Sequence, residues 1–393
     1  MNYITLRDTV VEIDLDKMAY NMRKIRKMVG DSVAIAAVVK ANGYGCGALD
    51  IAPTIMENGA DYLAVATLSE ALELKRRYRD YSIFIMGYTP DDQLKYIVEN
   101  DITQTIFSLR QAKLLNDLGI LSCKKPKVHI KYDTGFNRLG FIDCDESISE
   151  IHEIFKLKNL NVEGIFSHFA LTSPEEDERQ YRKFIKAVNK IESLGWSFKY
   201  KHICDSIATV DYPQYRLNMI RPGAIIYGLK SYENERIHFK QVITFKSKVY
   251  FIKKIKKGEG ISYNYLWRAE RDSVIGTIPF GYADGYPRNM RGKGYVLVKG
   301  MKAPIVGVIC MDQCMVDLTD IEDVKEGDEV IIYGDGTNDA LDVQAISELA
   351  DTNKNEIMCR ITRRTPRVYI KDGKVVKVLD YSLDSSIEDK SEI

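Results

Sequence analysis

The sequence predicts an α/β protein: a (β/α)8 TIM barrel followed by a mostly β C-terminal domain. Three observations predict it. Eight short apolar runs recur through the first 228 residues with helix-length segments between them. Strands alternating with helices build parallel βαβ units, and eight such units close a barrel. After about residue 238 the alternation stops, and Gly, Asp and Pro punctuate short strand-like runs. The length of 393 residues suits two domains.

The elements follow in order. The run VVEIDL stands before a helix near residues 16–29. The eight barrel strands are AIAAVVK (34–40), YLAVAT (62–67), IFIMGY (83–88), TQTIFS (103–108), KVHIKYD (127–133), VEGIFSHF (162–169), YKHICDS (200–206) and MIRPGAIIYG (219–228). Between them, SEALELKRR reads as a helix with Ser69 as its N-cap. EEDERQYRKFIKAVNKIES, from Glu175, carries acids in its first turn and bases later, as the helix dipole favours. In the second domain FKSKVYFIKKIKKGEGISY, DSVIGTIPFGYADG, GYVLVKGMKAPIVGVICMDQCMVDL and DEVIIYG read as strands. DVQAISELADTNKNEIMC reads as one or two helices capped by Asp342. The expected domains are therefore a barrel over 1–238, a mostly β domain over 239–381 and a loose acidic tail over 382–393.

Composition narrows the function. Lys+Arg and Asp+Glu both number 56, and a zero net charge argues against nucleic acid as the main partner. No apolar run approaches the ~20 residues of a membrane helix, and no signal peptide is read at the start. The seven cysteines are scattered, with no CxxC pair, which suits a reduced, cytoplasmic compartment. The five histidines show no metal-ligand spacing, so no metal is expected. A soluble enzyme leads.

In a (β/α)8 barrel the active site stands at the carboxyl ends of the strands. There the sequence places Lys40, Gly87, Lys131, Arg138, His168, His202, Asp205, Ser206, Arg221 and Gly223. Polar groups at the ends of apolar strands are costly to bury unless used. Lys40 is the sharpest: after AIAAVV, partial desolvation would lower its pKa and make it nucleophilic. Ser206 and Gly223, after strands seven and eight, suit a phosphate or oxyanion cradle. The plain alternatives are a lysine snorkelling from a strand end and ordinary turn chemistry.

VVKANGYGCG resembles the cofactor-lysine motif of the alanine racemase family, the fold-type III enzymes that use pyridoxal 5'-phosphate. The resemblance continues in family order through DTGFNRLG, FSHF, HICDS, IRPGAIIYG, ISY, PFGYADGYPR and VGVICMDQCMVDLT, across both domains. It implies a racemase interconverting L- and D-alanine for peptidoglycan, working as a head-to-tail homodimer with shared sites. Two bases on opposite faces of the substrate solve what one base cannot easily reach.

By this resemblance Lys40 holds the cofactor and is the base on the D side, and Tyr263 is the base on the L side. His168 and Arg221 help the tyrosine, and His202 touches the arginine. Arg221 faces the cofactor's ring nitrogen. Tyr44, Ser206, Gly223, Ala224 and Tyr227 belong to the phosphate side. Arg138 steadies the cofactor and the substrate carboxylate. Met311, Asp312 and the gate residue Tyr282 belong to the substrate side. Lys131 has two readings: a carbamylated lysine, as some relatives carry, or an unmodified lysine repelled by Arg138. Tyr227 and Tyr282 have packing as their plain alternative.

The chain departs from the family at Cys46, Phe136, Asp205, Val308, Ser173 and Arg363, where relatives commonly carry His, Met, Asn, Arg, Asp and Tyr. These changes predict a less charged entrance admitting a residue larger than alanine. The alternative function is therefore the same mechanism on serine, lysine or arginine. A fold-type III decarboxylase would not need Tyr263, a single-barrel cofactor carrier would not need the second domain, and a barrel hydrolase would need a triad or carboxylate pair that is not seen.

Overall fold

The computed structural model describes residues 5–230 and 232–384. The expected tail lies outside the described residues from 385 onward. Strand β1 spans Val10–Asp14. The barrel strands are β2 (Ala34–Val38), β3 (Tyr62–Val65), β4 (Ile83–Ile85), β5 (Thr103–Ile106), β6 (Lys127–Lys131), β7 (Asn161–Phe166), β8 (Tyr200–His202) and β9 (Met219–Ile220). They pair in parallel in the order β8-β7-β6-β5-β4-β3-β2-β9. The seam between β8 and β9 is drawn together by Arg221 N–H to the Cys204 carbonyl (3.0 Å) and Lys201 N–H to Asn218 Oδ1 (2.7 Å). All eight expected barrel strands are present in order. Their apolar β-branched side chains are buried on both faces, as parallel strands under helices require.

The helices form for local reasons. Leu15–Val29 is capped by Asp14, which accepts from Lys17 N–H, and it buries Leu15, Met18, Met22 and Ile25 along one stripe. The helix expected to start at Ser69 spans Leu68–Arg77 instead. Its cap is Thr67, because Glu70 stands three residues on and completes a reciprocal capping box. The helix read from Glu175 spans Pro174–Glu192, with Ser173 as cap. Ser173, one of the departures, is thus spent on a helix terminus.

The remaining strands are β10 (Ile243–Lys248), β11 (Phe251–Ile255), β12 (Gly260–Ile261), β13 (Trp267–Arg268), β14 (Ser273–Ile278), β15 (Tyr295–Val298), β16 (Met301–Val306), β17 (Cys314–Asp317), β18 (Glu329–Tyr333), β19 (Arg367–Lys371) and β20 (Lys374–Leu379). A ten-stranded sheet runs β11-β14-β17-β16-β15-β18-β10-β1-β19-β20. So β1 belongs to this second sheet, antiparallel to β10 and parallel to β19, and the chain enters the barrel only after Asp14. The hairpin β19–β20 escaped the sequence reading. It turns on Asp372 and Gly373, both at positive φ, a common two-residue hairpin signal. Asp342 caps Val343–Leu349, and a second helix, Lys354–Cys359, follows.

Candidate active site

A cavity of about 500 Å³ opens at the carboxyl end of the barrel. Lys40, Tyr44, Lys131, Arg138, His168, Ser206, Arg221, Gly223 and Ala224 line it, together with Asp205. Most of the expected barrel residues therefore converge. Two lysines and two arginines line it against a single acid, so the cavity suits an anion.

Lys40 follows β2 directly. Its side chain is exposed in the chain by itself, so the expected desolvation is absent there. The strand ends before it, and only the left-handed turn that follows packs inward.

Arg221, 4% exposed, organises the floor. Its Nη1 meets His202 Nδ1 at 2.6 Å, and its Nη2 donates to the carbonyls of Ser167 (2.7 Å) and Ile203 (3.1 Å) and lies 3.4 Å from His168 Nδ1. Its Nε carries no hydrogen bond to a described residue. An arginine is protonated and can only donate, so both histidines accept through Nδ1 and carry their protons on Nε2. His202 Nε2 lies 2.8 Å from Nδ1 of His129, which puts the last proton on His129 Nε2, a buried atom with no partner among the described residues. Phe166 stacks parallel to the His202 ring at 4.8 Å and fixes its plane. The sequence reading missed His129. Its signal was the i, i+2 spacing to Lys131, which puts both on the same face of β6.

Burial, reinforced by the Arg221 charge, holds these histidines neutral: His168 is pushed down to about 2 and His129 to about 3, and His202 lies well below its ordinary value. Unfolding lets all three bind protons near the ordinary value of about 6.5. Stability is then present above about pH 6.5 and lost as pH falls toward 2–3. The expected loss is up to about 1.4 kcal/mol per pH unit for each histidine. Urea midpoints across pH 7 to 4 check this, and the slope should shrink in His129→Leu.

Lys131 is 5% exposed, and among the described residues its Nζ finds only the Tyr132 carbonyl, at 3.4 Å. Burial first, then the charge of Arg221, pushes it down to about 7. Arg138 lies over the Phe136 ring at 4.3 Å, and that ring sits 5.2 Å from His168. Phe136 thus carries both a cation and an imidazole. The loop holding them is tied by Asp133, whose Oδ1 accepts from Gly135 N–H (2.8 Å) and Asn137 N–H (3.2 Å). Asp205 turns away from any anion: its Oδ1 caps the next helix through Ala208 N–H at 3.0 Å, and burial raises its pKa.

Ser206 Oγ accepts from Gly223 N–H at 2.8 Å, so that amide is already engaged, while Ala224 N–H meets no described acceptor. A Cβ on Gly223 would stand 2.6 Å from the Tyr44 hydroxyl, so only glycine lets Tyr44 in. That hydroxyl, on a residue only 7% exposed, has no hydrogen-bond partner among the described residues, and burial of the ring raises its pKa. Tyr227 does not reach the cavity. It stacks behind Tyr44 at 4.6 Å and donates to the Val38 carbonyl at 3.0 Å, which is the packing alternative.

The β-domain residues stay outside this cavity in the same chain. Tyr263 is 67% exposed, Met311 52% and Tyr282 38%. They form one rim. Tyr282 N–H bonds the Cys310 carbonyl (3.2 Å) and Ala283 N–H the Met311 carbonyl (3.1 Å). Gly281 permits that approach, since a Cβ there would stand 2.2 Å from the Cys310 oxygen. Asp312 is held by Arg364 at 2.7 Å, and Arg364 also reaches the buried Asp284. Val308 is buried beside a cleft lined by Arg288, Arg291 and Lys293, so its surroundings are strongly cationic and not depleted of charge. Cys46 is fully buried away from the cavity lining. Among the described residues no cluster of ligating side chains could hold a metal ion, and no helix is long and apolar enough to cross a membrane.

A barrel whose carboxyl end gathers a lysine, a buried arginine, neutral histidines and free hydrogen-bond donors defines an enzyme active site. The comparisons with known proteins name its kind. Residues 13–231 match the alanine racemase N-terminal domain and residues 242–369 the alanine racemase C-terminal domain. The alanine racemase of Clostridium tetani is 43% identical over 96% of this chain and 99% of its own. Among solved structures, alanine racemase of Clostridium difficile superposes with a TM-score of 0.92 at 36% identity, covering 96% of this chain and 100% of that one. The alanine racemase of Bacillus anthracis with bound L-Ala-P gives 0.90 at 32% identity, over 97% and 100%. The chain belongs to the alanine racemase family.

Proposed function

We propose that the protein interconverts L- and D-alanine, an isomerase using pyridoxal 5'-phosphate with Lys40 and Tyr263 as the two bases. The observation that carries the reading is the cavity itself, where Lys40 stands at the end of β2 among donors that suit an anionic occupant. The residues fit that cofactor. The Tyr44 hydroxyl, Ala224 N–H and Ser206 suit a phosphate, Arg221 Nε suits a ring nitrogen and Arg138 a phenolate oxygen. When bound, pyridoxal phosphate supplies the electron sink that makes the α-hydrogen of an amino acid acidic.

The protein supplies the rest. Arg221 gives its charge to the ring-nitrogen side and cannot deliver a proton there. His168, neutral with its proton on Nε2, can donate to a phenolate oxygen. A tyrosine hydroxyl, whose unperturbed pKa is near ~10, needs such a donor in order to act as a base. Tyr263 cannot serve the cavity of its own chain, being on the exposed rim with Tyr282 and Met311. A head-to-tail homodimer, in which each rim closes the partner's barrel, completes both sites. D-Alanine made this way serves peptidoglycan, in the cytoplasm, where the seven free thiols stay reduced.

The likeness to alanine racemases across nearly the whole chain favours alanine over serine, lysine or arginine. The test offers each L-amino acid in turn to the cofactor-loaded protein, with chiral chromatography as readout. Alanine is expected to be converted fastest; faster conversion of a larger amino acid would change the substrate and keep the mechanism.

For Lys131 we favour the carbamylated state. A near-neutral buried amine between two arginines can attack CO2: an N–C bond forms, one proton leaves, and the resulting anion faces Arg138 and Arg221. Enzyme freed of CO2 is expected to regain activity on addition of bicarbonate. Indifference to bicarbonate would leave Lys131 a plain amine.

A further inference from the structure

The turn after Lys40 is the most strained backbone near the site. Ala41, Asn42, Gly43 and Tyr44 all lie in the left-handed region, with φ of 53°, 54°, 61° and 53°. Gly43 N–H bonds the Val39 carbonyl (2.8 Å) and Gly45 N–H that of Ala41 (3.0 Å), which makes one turn of left-handed helix. L-residues enter this region singly, not in runs, because Cβ crowds the next carbonyl. Such strain persists only where the surroundings over-determine it.

The surroundings are on two sides. On the barrel side the Glu70 carboxylate accepts from Ala41 N–H at 2.6 Å, and its other oxygen accepts from Ala66 (2.8 Å) and Thr67 (3.2 Å). It ties the first strained residue to the end of β3. On the other side the β domain of the same chain reaches across. Asn42 Nδ2 donates to the Tyr381 hydroxyl at 2.8 Å, and Tyr369 OH donates to the Cys46 carbonyl at 2.9 Å. Arg367 is 1% exposed and has no carboxylate partner among the described residues. Its guanidinium donates only to backbone carbonyls, among them Gly45 (3.0 Å) and Ile361 (2.9 Å), and lies 5.3 Å from the Tyr381 ring centre. A buried unpaired arginine is a costly way to hold two loops together unless their position matters. Arg363 rests on the same ring at 5.5 Å, which gives that departure a place in the clamp.

We propose that Glu70 and the Arg367–Tyr381 pair are positioning residues: they hold the left-handed turn and so set where the Lys40 amine and the Tyr44 hydroxyl stand. The β domain would then serve its own barrel through its last strands while its rim serves the partner's. The inference rests on the reading that Lys40 holds the cofactor.

The test uses the loaded enzyme with Glu70→Gln and Tyr381→Phe. Each is expected to lose pyridoxal phosphate about tenfold faster, followed by the visible absorbance of the lysine-bound cofactor, as the loss of one well-made hydrogen bond implies. In each, kcat should fall more than KM changes. Tyr381→Phe, which leaves the capping box of Glu70 intact, should leave the thermal midpoint nearly unchanged in a Lys40→Ala background, where cofactor no longer contributes to stability. Unaltered cofactor loss in both variants overturns the proposal. So does a loss matched by an equivalent fall in midpoint, since that marks a merely structural role. A Lys40→Ala protein that keeps the absorbance band would instead overturn the lysine reading, and the proposal with it.

Discussion

Replacing Lys40 by alanine is expected to lower racemisation by about 10⁴-fold in both directions, the upper range for loss of a positioned base. Of the two lysines that line the cavity, Lys40 is the unburied one, and its amine is free of a carboxylate among the described residues, so it can reach a ligand. Lys131, the other lysine of the cavity, is buried beneath Phe166, with its amine 5.2 Å from the ring centre, and cannot take over. Stability of the cofactor-free protein should hardly change, because the side chain is exposed. Rates measured with L- and with D-alanine, alongside a urea titration, check both statements.

The second large effect is expected at Tyr263. Tyr263→Phe removes one hydroxyl from an exposed ring and should still cost about 10³-fold or more in racemisation. The loss should be one-sided in a way that Lys40→Ala is not. In deuterated water, exchange of the α-hydrogen should persist with D-alanine, whose hydrogen faces Lys40, and disappear with L-alanine. A lone-base mechanism would slow both exchanges alike. The dependence on His168 follows from its tautomer: with Nδ1 turned to Arg221, only Nε2–H is left to steady the phenolate.

Much of this was legible in the sequence, for physical reasons that differ between the parts. The barrel strands were readable because strands buried on both faces must be continuously apolar. The cavity residues were readable because a barrel gathers strand ends at one face, so position along the chain implies position in space. What escaped depended on long-range choices. VVEIDL reads as a strand in any sheet, and its place beside β19 is settled by pairing across some 350 residues. Thr67 and Ser69 are both good caps, and the carboxylate of Glu70 decided between them. Tyr227 carries the right residue type after the right strand, yet its hydroxyl is spent on Val38. Arg367 and Tyr381 carry no local motif, because their work is done on the backbone of another element, and the capping box of Glu70 gives no sign of its bond to Ala41. The Val308 departure implied a less charged entrance, while Arg291 and Lys293, distant in sequence, place cations beside it.

The central claim is that each active site takes Lys40 from one chain and Tyr263 from another. Mixing inactive Lys40→Ala with inactive Tyr263→Phe, under conditions that let subunits exchange, tests it directly. Half of the dimers formed at random are mixed, and each mixed dimer holds one site with both bases intact. The mixture should therefore regain about a quarter of the wild-type rate. A mixture as inactive as its two components, despite proven exchange, would contradict the shared site and return both bases to a single chain.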